Sequence, residues 1–411
     1  MLAVRAGEVQ RASGGGLMEV FASVADPRSR QGIRHSLAAI LGLCTAAVLS
    51  GCLTLADITA WVSAAGQDVL AALGCWQDRS GRYVAPHPDT IERVFHRLGA
   101  QGLADQVGGY LAAKAGVGAV AFPIAGPVLQ PAVAVDGKAE RGAIGTDGLI
   151  PYLLAAATHG ESVVLAERLV GAKTNEVPEF QPLLRQAQAE FAGHVFTMDA
   201  AHTVRSHARF LVEELGAHYV MIVKENQKGL FDRIDALDWA KVPVTHQTKE
   251  TGHGRRERRT IQVMDAPTGL GFPHAIQVFL IERYTVRKVR RRAKGSRKYK
   301  TVNVTCAVAV LGVTSLSARE AAPEHLATYV RGHWSIENKI HWVRDVTFRE
   351  DSSRIRTGSR PRVMATLRNL ATGLIRQAGY RRIAATIRKI KHDPHLLLAV
   401  LGLRPSPQHT S

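Results

Sequence analysis

Cysteine is scarce in this chain of 411 residues. Cys44, Cys52, Cys75 and Cys306 are the only four, and they form no C-x-x-C pair and no Cys/His spacing of a zinc module. A disulfide framework and a structural zinc site are therefore not indicated, and a reducing cytosol is the expected compartment. Acid is also in short supply, with 35 Asp and Glu against 53 Lys and Arg and a formal charge of +18. That balance argues against an acidic or neutral surface and favours a polyanionic partner, nucleic acid first. The other polyanion, a membrane surface, finds no support, because neither end carries a basic amphipathic helix or a lipidation signal. Met1-Leu2-Ala3-Val4-Arg5 lacks the apolar core of a signal peptide. The uncharged run from Leu37 to Leu55 is diluted by Gly42, Thr45, Ser50, Gly51 and Thr54, so it reads as a helix buried in protein and not as a membrane span. There is no internal repeat.

What is present is enough apolar material, 46% of residues, for a large core divided over two or three units. Residues 1–16 are Gly-rich and expected to be disordered. Residues 17–118 read as an all-helical domain, in which Ser36 caps the buried helix and Asp89-Thr90-Ile91-Glu92 has capping-box spacing. A Pro- and Gly-broken linker over 119–131 follows. From there the fold class is α/β. Short β-branched runs at 132–136, 151–158 and 161–170 suggest an antiparallel meander, and those at 194–199 and 218–223 alternate with helical patterns at Glu179–Phe191 and Val204–Leu215. That order is the one found in ribonuclease-H-like sheets, here expected over 130–378 with a β-rich insertion at about 240–315 (strands 258–264, 275–282 and 301–312) and a basic helical tail at 379–411.

Three carboxylates stand out. Asp136 ends the run Val133-Ala134-Val135 and precedes Gly137-Lys138, and Asp199 ends Val195-Phe196-Thr197-Met198. Both fall at expected strand ends, where α/β sheets bind ligands. Read singly, the first is also a hairpin Asp-Gly and the second also a helix N-cap. Glu337 borders an apolar helical stripe of Ile336, Ile340 and Val343, with His333 and His341 one turn to either side. A surface ladder of polar side chains is the plain alternative, and a single transition metal held by H-x3-E-x3-H is another. Asp, Asp and Glu together form the hard oxygen set that holds two Mg²⁺ or Mn²⁺ ions for phosphoryl transfer.

Basic sequence surrounds these acids. Residues 283–300 hold ten Lys or Arg and no acid, a density that suits a phosphate backbone, with Arg290, Arg291 and Arg292 at its centre. Lys173-Thr174-Asn175-Glu176 and Lys224-Glu225-Asn226-Gln227 follow strands and can gather at the same rim. His253-Gly254-Arg255 is a basic turn, and Arg354, Arg356, Arg360, Arg362 and Arg368 follow the Glu337 helix.

The order of Asp26-Pro27-Arg28, Gly32-Ile33-Arg34-His35, Val135-Asp136-Gly137-Lys138, Lys173-Thr174-Asn175-Glu176-Val177-Pro178, Asp199-Ala200, Val223-Lys224-Glu225-Asn226-Gln227, His253-Gly254-Arg255 and His333-Trp334-Ser335-Ile336-Glu337-Asn338 resembles the insertion-sequence DDE transposases, in the ISAs-one branch of the IS-four superfamily. The resemblance spans nearly the whole chain. It implies a ribonuclease-H-like core in which Asp136, Asp199 and Glu337 are catalytic and bind two metal ions, cutting element ends and joining them to target DNA. It further implies double-stranded DNA as partner (terminal inverted repeats and target), a homodimer in the DNA complex, no membrane, and a bacterial cytoplasm with the protein on the nucleoid when DNA is bound. Expected DNA contacts are Lys138, Lys173, Lys224, Asn226, Arg255, Arg290, Arg291, Arg292, His333, His341 and Arg344. The superfamily's Y-x2-R-x3-E-x6-K signature is met only in part. His333 takes the place of its Arg, Arg344 that of its Lys, and Tyr329 is one residue out of step. A metal-dependent nuclease or junction resolvase is the rival enzyme, and a DNA-binding repressor is the rival without chemistry.

Overall fold

Ala, Leu and Gly dominate the start of the chain, and that composition yields close-packed helices. A computed structural model describes residues 16–31, 33–120, 126–145, 148–171, 175–252, 254–292 and 299–403. The expectations for residues 1–15, Gly32, Lys173, Thr174 and His253 lie outside the described residues. Helices α1 (Leu17–Ser23), α2 (Leu37–Leu49), α3 (Leu55–Ser63), α4 (Gln67–Ala72), α5 (Pro88–Arg97) and α6 (Ala100–Lys114) come first. Ser36 accepts from the Ala39 amide to start α2, as its sequence predicts, and every residue of α2 is buried. No helix among the described residues is long and apolar enough to cross a membrane. The expected capping box at Asp89–Glu92 is displaced. The α5 helix begins at Pro88, and His87 Nδ1 accepts from the Asp89 amide at 3.2 Å, because proline fits the first helical position, where its missing N–H costs nothing.

The strands are β1 (Ala132–Ala139), β2 (Tyr152–Thr158), β3 (Val164–Val170), β4 (Val195–Met198), β5 (His218–Val223), β6 (His246–Gly252), β7 (Arg255–Asp265), β8 (Gln277–Arg292) and β9 (Tyr299–Thr314). Helix α7 (Phe180–Gln186) precedes β4, α8 (Arg205–Arg209, prolonged by a π turn over Phe210–Glu214) links β4 to β5, and α9 (Lys228–Asp235) follows β5. Then come α10 (Pro323–His333), π-helical stretches over Ile336–His341 and Val343–Thr347, and α11 (Arg360–Gln377), α12 (Ile383–Ile390) and α13 (Pro394–Val400).

The chain divides into two compact units, each assembled from separated segments. One comprises Met1–Gly118, Gly137–Ala189 and Ile336–Ser411. In it α11 packs on α2 and α6, and α6 lies across β3, which pairs antiparallel with β2. Gly108 permits that last approach, since a Cβ there would sit 2.2 Å from the Leu165 carbonyl oxygen.

The other unit comprises Ala119–Asp136 and Glu190–Ser335. Its mixed sheet runs β1, β4, β5, β9, β8, β7, β6, with β1–β4 and β4–β5 parallel and the remaining neighbours antiparallel. The parallel pairing of β4 and β5 follows from the helix between them, as expected. Ile261, Phe279, Ile281, Leu326 and Tyr329 form its core with Val195 and Val220, and α10 packs on β4, β5 and β7. The insertion differs from expectation. Strand β6 went unforeseen, and the strand expected over 275–282 runs on as β8 through the basic stretch to Arg292. Its alternation of Tyr, Thr and Val with Arg and Lys suits a strand, and pairing with β9 through Arg292↔Tyr299 outweighs repulsion between screened charges.

Candidate active site

Within the sheet unit, Ala132–Val135 of β1 pair in parallel with Val195–Met198 of β4, so Asp136 and Asp199 are the next residues on two adjacent strands. Strands in register project the same side-chain parity to the same face. Asp136 therefore shares a face with Asp199, Ala134 and Thr197; Asp199 directly follows β4, whereas β1 runs three residues past Asp136 to Ala139, beyond the end expected at 136. Neighbouring strands lie about 4.8 Å apart, which sets the two acids next to each other. The turn after Asp199 is held from several sides. Asp199 Oδ1 accepts from the Ala201 amide at 2.9 Å, Thr203 Oγ1 donates to the Ile222 carbonyl at 2.6 Å, and Asn226 Nδ2 donates to the Ala200 carbonyl at 2.6 Å. The N-cap role foreseen for Asp199 is thus real, and one capped carboxylate oxygen still leaves lone pairs for a second partner.

Thr197 Oγ1 lies 3.3 Å from His333 Nδ1 on α10. Burial pulls the His333 pKa down to about 4 against the opposing pull of the Asp199 carboxylate. At neutral pH the ring is uncharged. His333 thus stands beside Asp199. Thr197 had no place in the sequence reading, although its position two residues before Asp199 on a strand was the available signal.

Glu337 belongs to the helical unit and is exposed, while Ile336, Ile340 and Val343 turn inward as the apolar stripe predicts. The helix carrying it is π-wound, with i→i+5 bonding, so the four-residue ladder drawn for an α-helix does not hold. His341, expected on the face of Glu337, is instead buried at 8% exposure. Among the described residues no three His, Cys, Asp or Glu side chains are gathered at one point to hold an ion.

Besides His341, two more expected DNA contacts turn inward. Lys138 is buried, with Nζ 2.6 Å from Asp345 Oδ1 and 3.6 Å from Asp351. Arg344 is 1% exposed, and its guanidinium donates to Glu167 Oε1 at 2.7 Å, to Glu140 Oε1 at 2.7 Å and to Glu350 at 2.9 Å. Arg368 joins through Glu350 at 3.0 Å and is also buried. Burial works against the Glu350 carboxylate, yet Arg344 and Arg368 hold its pKa down to about 2. Burial raises Glu140 to about 8, only partly relieved by Arg344. Arg344 and Lys138 therefore serve the fold. Sequence could not pair Arg344 with Glu167 or Glu140, nor Lys138 with Asp345, because those contacts span 177, 204 and 207 positions. Lys224, Asn226, Arg255, Arg290, Arg291 and Arg292 are exposed.

Comparison with known families accords with this architecture. The family model described as Transposase DDE domain matches residues 139–374, and a second, DDE_Tnp_1-associated, matches residues 18–111. The first match covers more than half of the chain, takes in Asp199 and Glu337, and begins three residues after Asp136. The chain belongs to the transposase DDE domain family. It is 26% identical over 408 residues to "Putative protein YbfL" of Escherichia coli K12, covering 94% of this chain and 97% of that protein. It is also 27% identical over 293 residues to "H repeat-associated putative transposase YhhI" of the same strain, covering 66% and 71%. Among solved structures it resembles, at a TM-score of 0.42 and 11% identity, a piggyBac transposase in its synaptic complex with hairpin DNA, over 96% of this chain and 80% of that one.

Proposed function

We propose that this DDE-family transposase, of the ISAs-one branch within the IS-four superfamily, cleaves the ends of an insertion element and joins them to target DNA through Asp136, Asp199 and Glu337. The observation that carries the reading is the register of β1 and β4, which sets Asp136 and Asp199 side by side on one face of the sheet. Hard carboxylate oxygens at that place fit Mg²⁺ or Mn²⁺ better than a thiophilic metal. Asp136 and Asp199 make two members of the ligand set, and Glu337, exposed on its helix, is the proposed third. When bound, a pair of such ions polarises the scissile phosphate and makes water or a 3′-hydroxyl a competent nucleophile. The chain's own residues do the rest. Thr197 and His333 fix α10 against β4, and Asn226 holds the Ala200 carbonyl so that Asp199 keeps its aim. The core is proposed to be ribonuclease-H-like and the DNA-bound form a homodimer, since two ends must be held together.

A strand-transfer assay tests this. Labelled element-end duplex, plasmid target and Mg²⁺ or Mn²⁺ should give joined products, and Asp136→Asn should give none. Hydrolysis without joining would assign the chain to the nucleases, and DNA binding with neither reaction to the repressors.

A further inference from the structure

The β6–β9 sheet has two faces of different chemistry, and strand register assigns every residue to one of them. Pairings such as Lys249↔Arg258, Arg258↔Tyr284 and Arg290↔Thr301 place Lys249, Arg256, Arg258, Lys288, Arg290 and Arg292 on the same side. All six are exposed. Thr301, Asn303 and Thr305 of β9, also exposed, stand among them as neutral hydrogen-bonding groups. The face's acid, Glu282, sits at the end nearest the core, where Tyr284 donates to it at 3.2 Å. Arg258 lies over the Tyr284 ring at 4.6 Å and Arg290 over Tyr299 at 5.6 Å, which leaves their outer edges for another partner. Among the described residues, Lys249, Arg256, Arg258, Lys288 and Arg290 take part in no ion pair.

The opposite side holds Arg255, Arg259, Arg283, Arg287 and Arg291, but it also holds Glu250 and Glu257. Those acids are engaged, Glu257 with Arg259 at 2.5 Å and Glu250 with Arg331 of α10. Where the first side has Thr301, Asn303 and Thr305, this one has Val302, Val304 and Val308. It continues into the core through Ile261, Phe279 and Ile281.

We propose that the face carrying Lys249, Arg256, Arg258, Lys288 and Arg290 lies on the phosphate backbone of duplex DNA, and that the opposite face, Arg255, Arg287 and Arg291 included, does not. The proposal rests on the DNA-processing reading above and sharpens it, because it splits Arg290 from its neighbour Arg291. Cations without acid partners, set beside hydroxyl and amide side chains, complement a polyanion studded with acceptor oxygens. Beyond Arg287, the last β8 partner of β7, β8 and β9 continue as a two-stranded ribbon. Such a ribbon is of a size that a major groove admits.

Two variants with the same charge change decide it. One carries Lys249→Gln, Arg256→Gln, Lys288→Gln and Arg290→Gln, and the other Arg255→Gln, Arg283→Gln, Arg287→Gln and Arg291→Gln. Binding to a random-sequence duplex is followed by fluorescence anisotropy across a salt series, with melting curves as the folding control. The first should flatten the slope of log K against log salt by about 3.6, at roughly 0.9 per lost phosphate contact, and the second by less than 1. Equal or larger loss in the second overturns the assignment of the face while DNA binding itself stands. Failure of the wild-type protein to bind duplex at all overturns both. In the unmutated protein, Lys249 and Lys288 should acetylate several-fold more slowly once duplex is added. Unchanged rates would likewise defeat the proposal.

Discussion

Thr197 Oγ1 and His333 Nδ1, 3.3 Å apart, join the strand that precedes Asp199 to the last turn of α10. The contact places an uncharged ring beside a carboxylate that is proposed to bind metal. Thr197→Val removes the hydroxyl at nearly constant volume. A hydrogen bond of this kind contributes about 1 kcal/mol, so single-turnover cleavage should fall about fivefold if the bond acts by holding the site in place. Thr197→Ser, which retains the hydroxyl, should restore most of the rate. A serine variant as slow as the valine variant would show that packing of the methyl group, and not the bond to His333, matters.

Asp136→Asn, Asp199→Asn and Glu337→Gln each remove one anionic ligand and leave the shape almost unchanged. Loss of metal-dependent charge stabilisation amounts to several kcal/mol, on the order of a thousandfold or more in rate. Binding of element-end DNA should remain, because the phosphate contacts come from Lys and Arg. A gel-shift series alongside the cleavage assay separates the two. Parallel loss of binding and cleavage would point to a structural role for these acids.

Arg344 should behave unlike a DNA contact. With Glu140, Glu167 and Glu350 around its guanidinium, Arg344→Met leaves buried carboxylates without their cation, a loss of about 3–5 kcal/mol. Arg344→Lys should rescue little, since an ammonium group cannot reproduce the planar fork that meets three partners. Urea unfolding reads the loss. At temperatures where the variant is folded, its salt slope for DNA should match wild type, and a slope flattened by about 1 would restore Arg344 to the DNA surface.

The legible parts of this chain were those set by local pattern. Ser36 marked a helix start, Leu37–Leu49 a buried helix, and Asp199 the end of a short apolar strand, because capping and alternation act over a few residues, while β1 runs on past Asp136 to Ala139. Long-range pairing was not legible. Nothing near Arg344 in sequence announces Glu140 or Glu167, and an arginine beside a candidate catalytic Glu reads as a phosphate contact until its burial is known. The 283–292 stretch misled by composition. Ten basic residues over 283–300 suggest a loop, yet the Tyr284, Val286 and Val289 spacing and the partners Ala307, Thr305 and Val302 make it strand. The π winding around Glu337 could not be read from a pattern that presumes 3.6 residues per turn.

Glu140 offers a pH test of the same buried cluster. Its Oε1 meets Arg344, but Oε2 makes no hydrogen bond among the described residues, and a bare anionic oxygen at that depth favours a bound proton. Burial accordingly raises its pKa from 4.5 to about 8, with Arg344 acting the other way. A carboxyl that holds its proton more tightly when folded stabilises the fold fully below its unfolded value. That contribution is lost as pH climbs from about 4.5 through about 8, with a slope of at most about 1.4 kcal/mol per pH unit. Glu140→Gln mimics the protonated form at every pH. Near pH 5 the variant and wild type should therefore melt together, and by pH 9 the variant should melt higher. Glu350, held down to about 2 by Arg344 and Arg368, contributes in the opposite sense, losing stability as pH falls below about 4.5, so the two acids are separable on one titration. A Glu140→Gln protein that melts lower than wild type at pH 9 would show that Glu140 is ionised and that Arg344 depends on its charge.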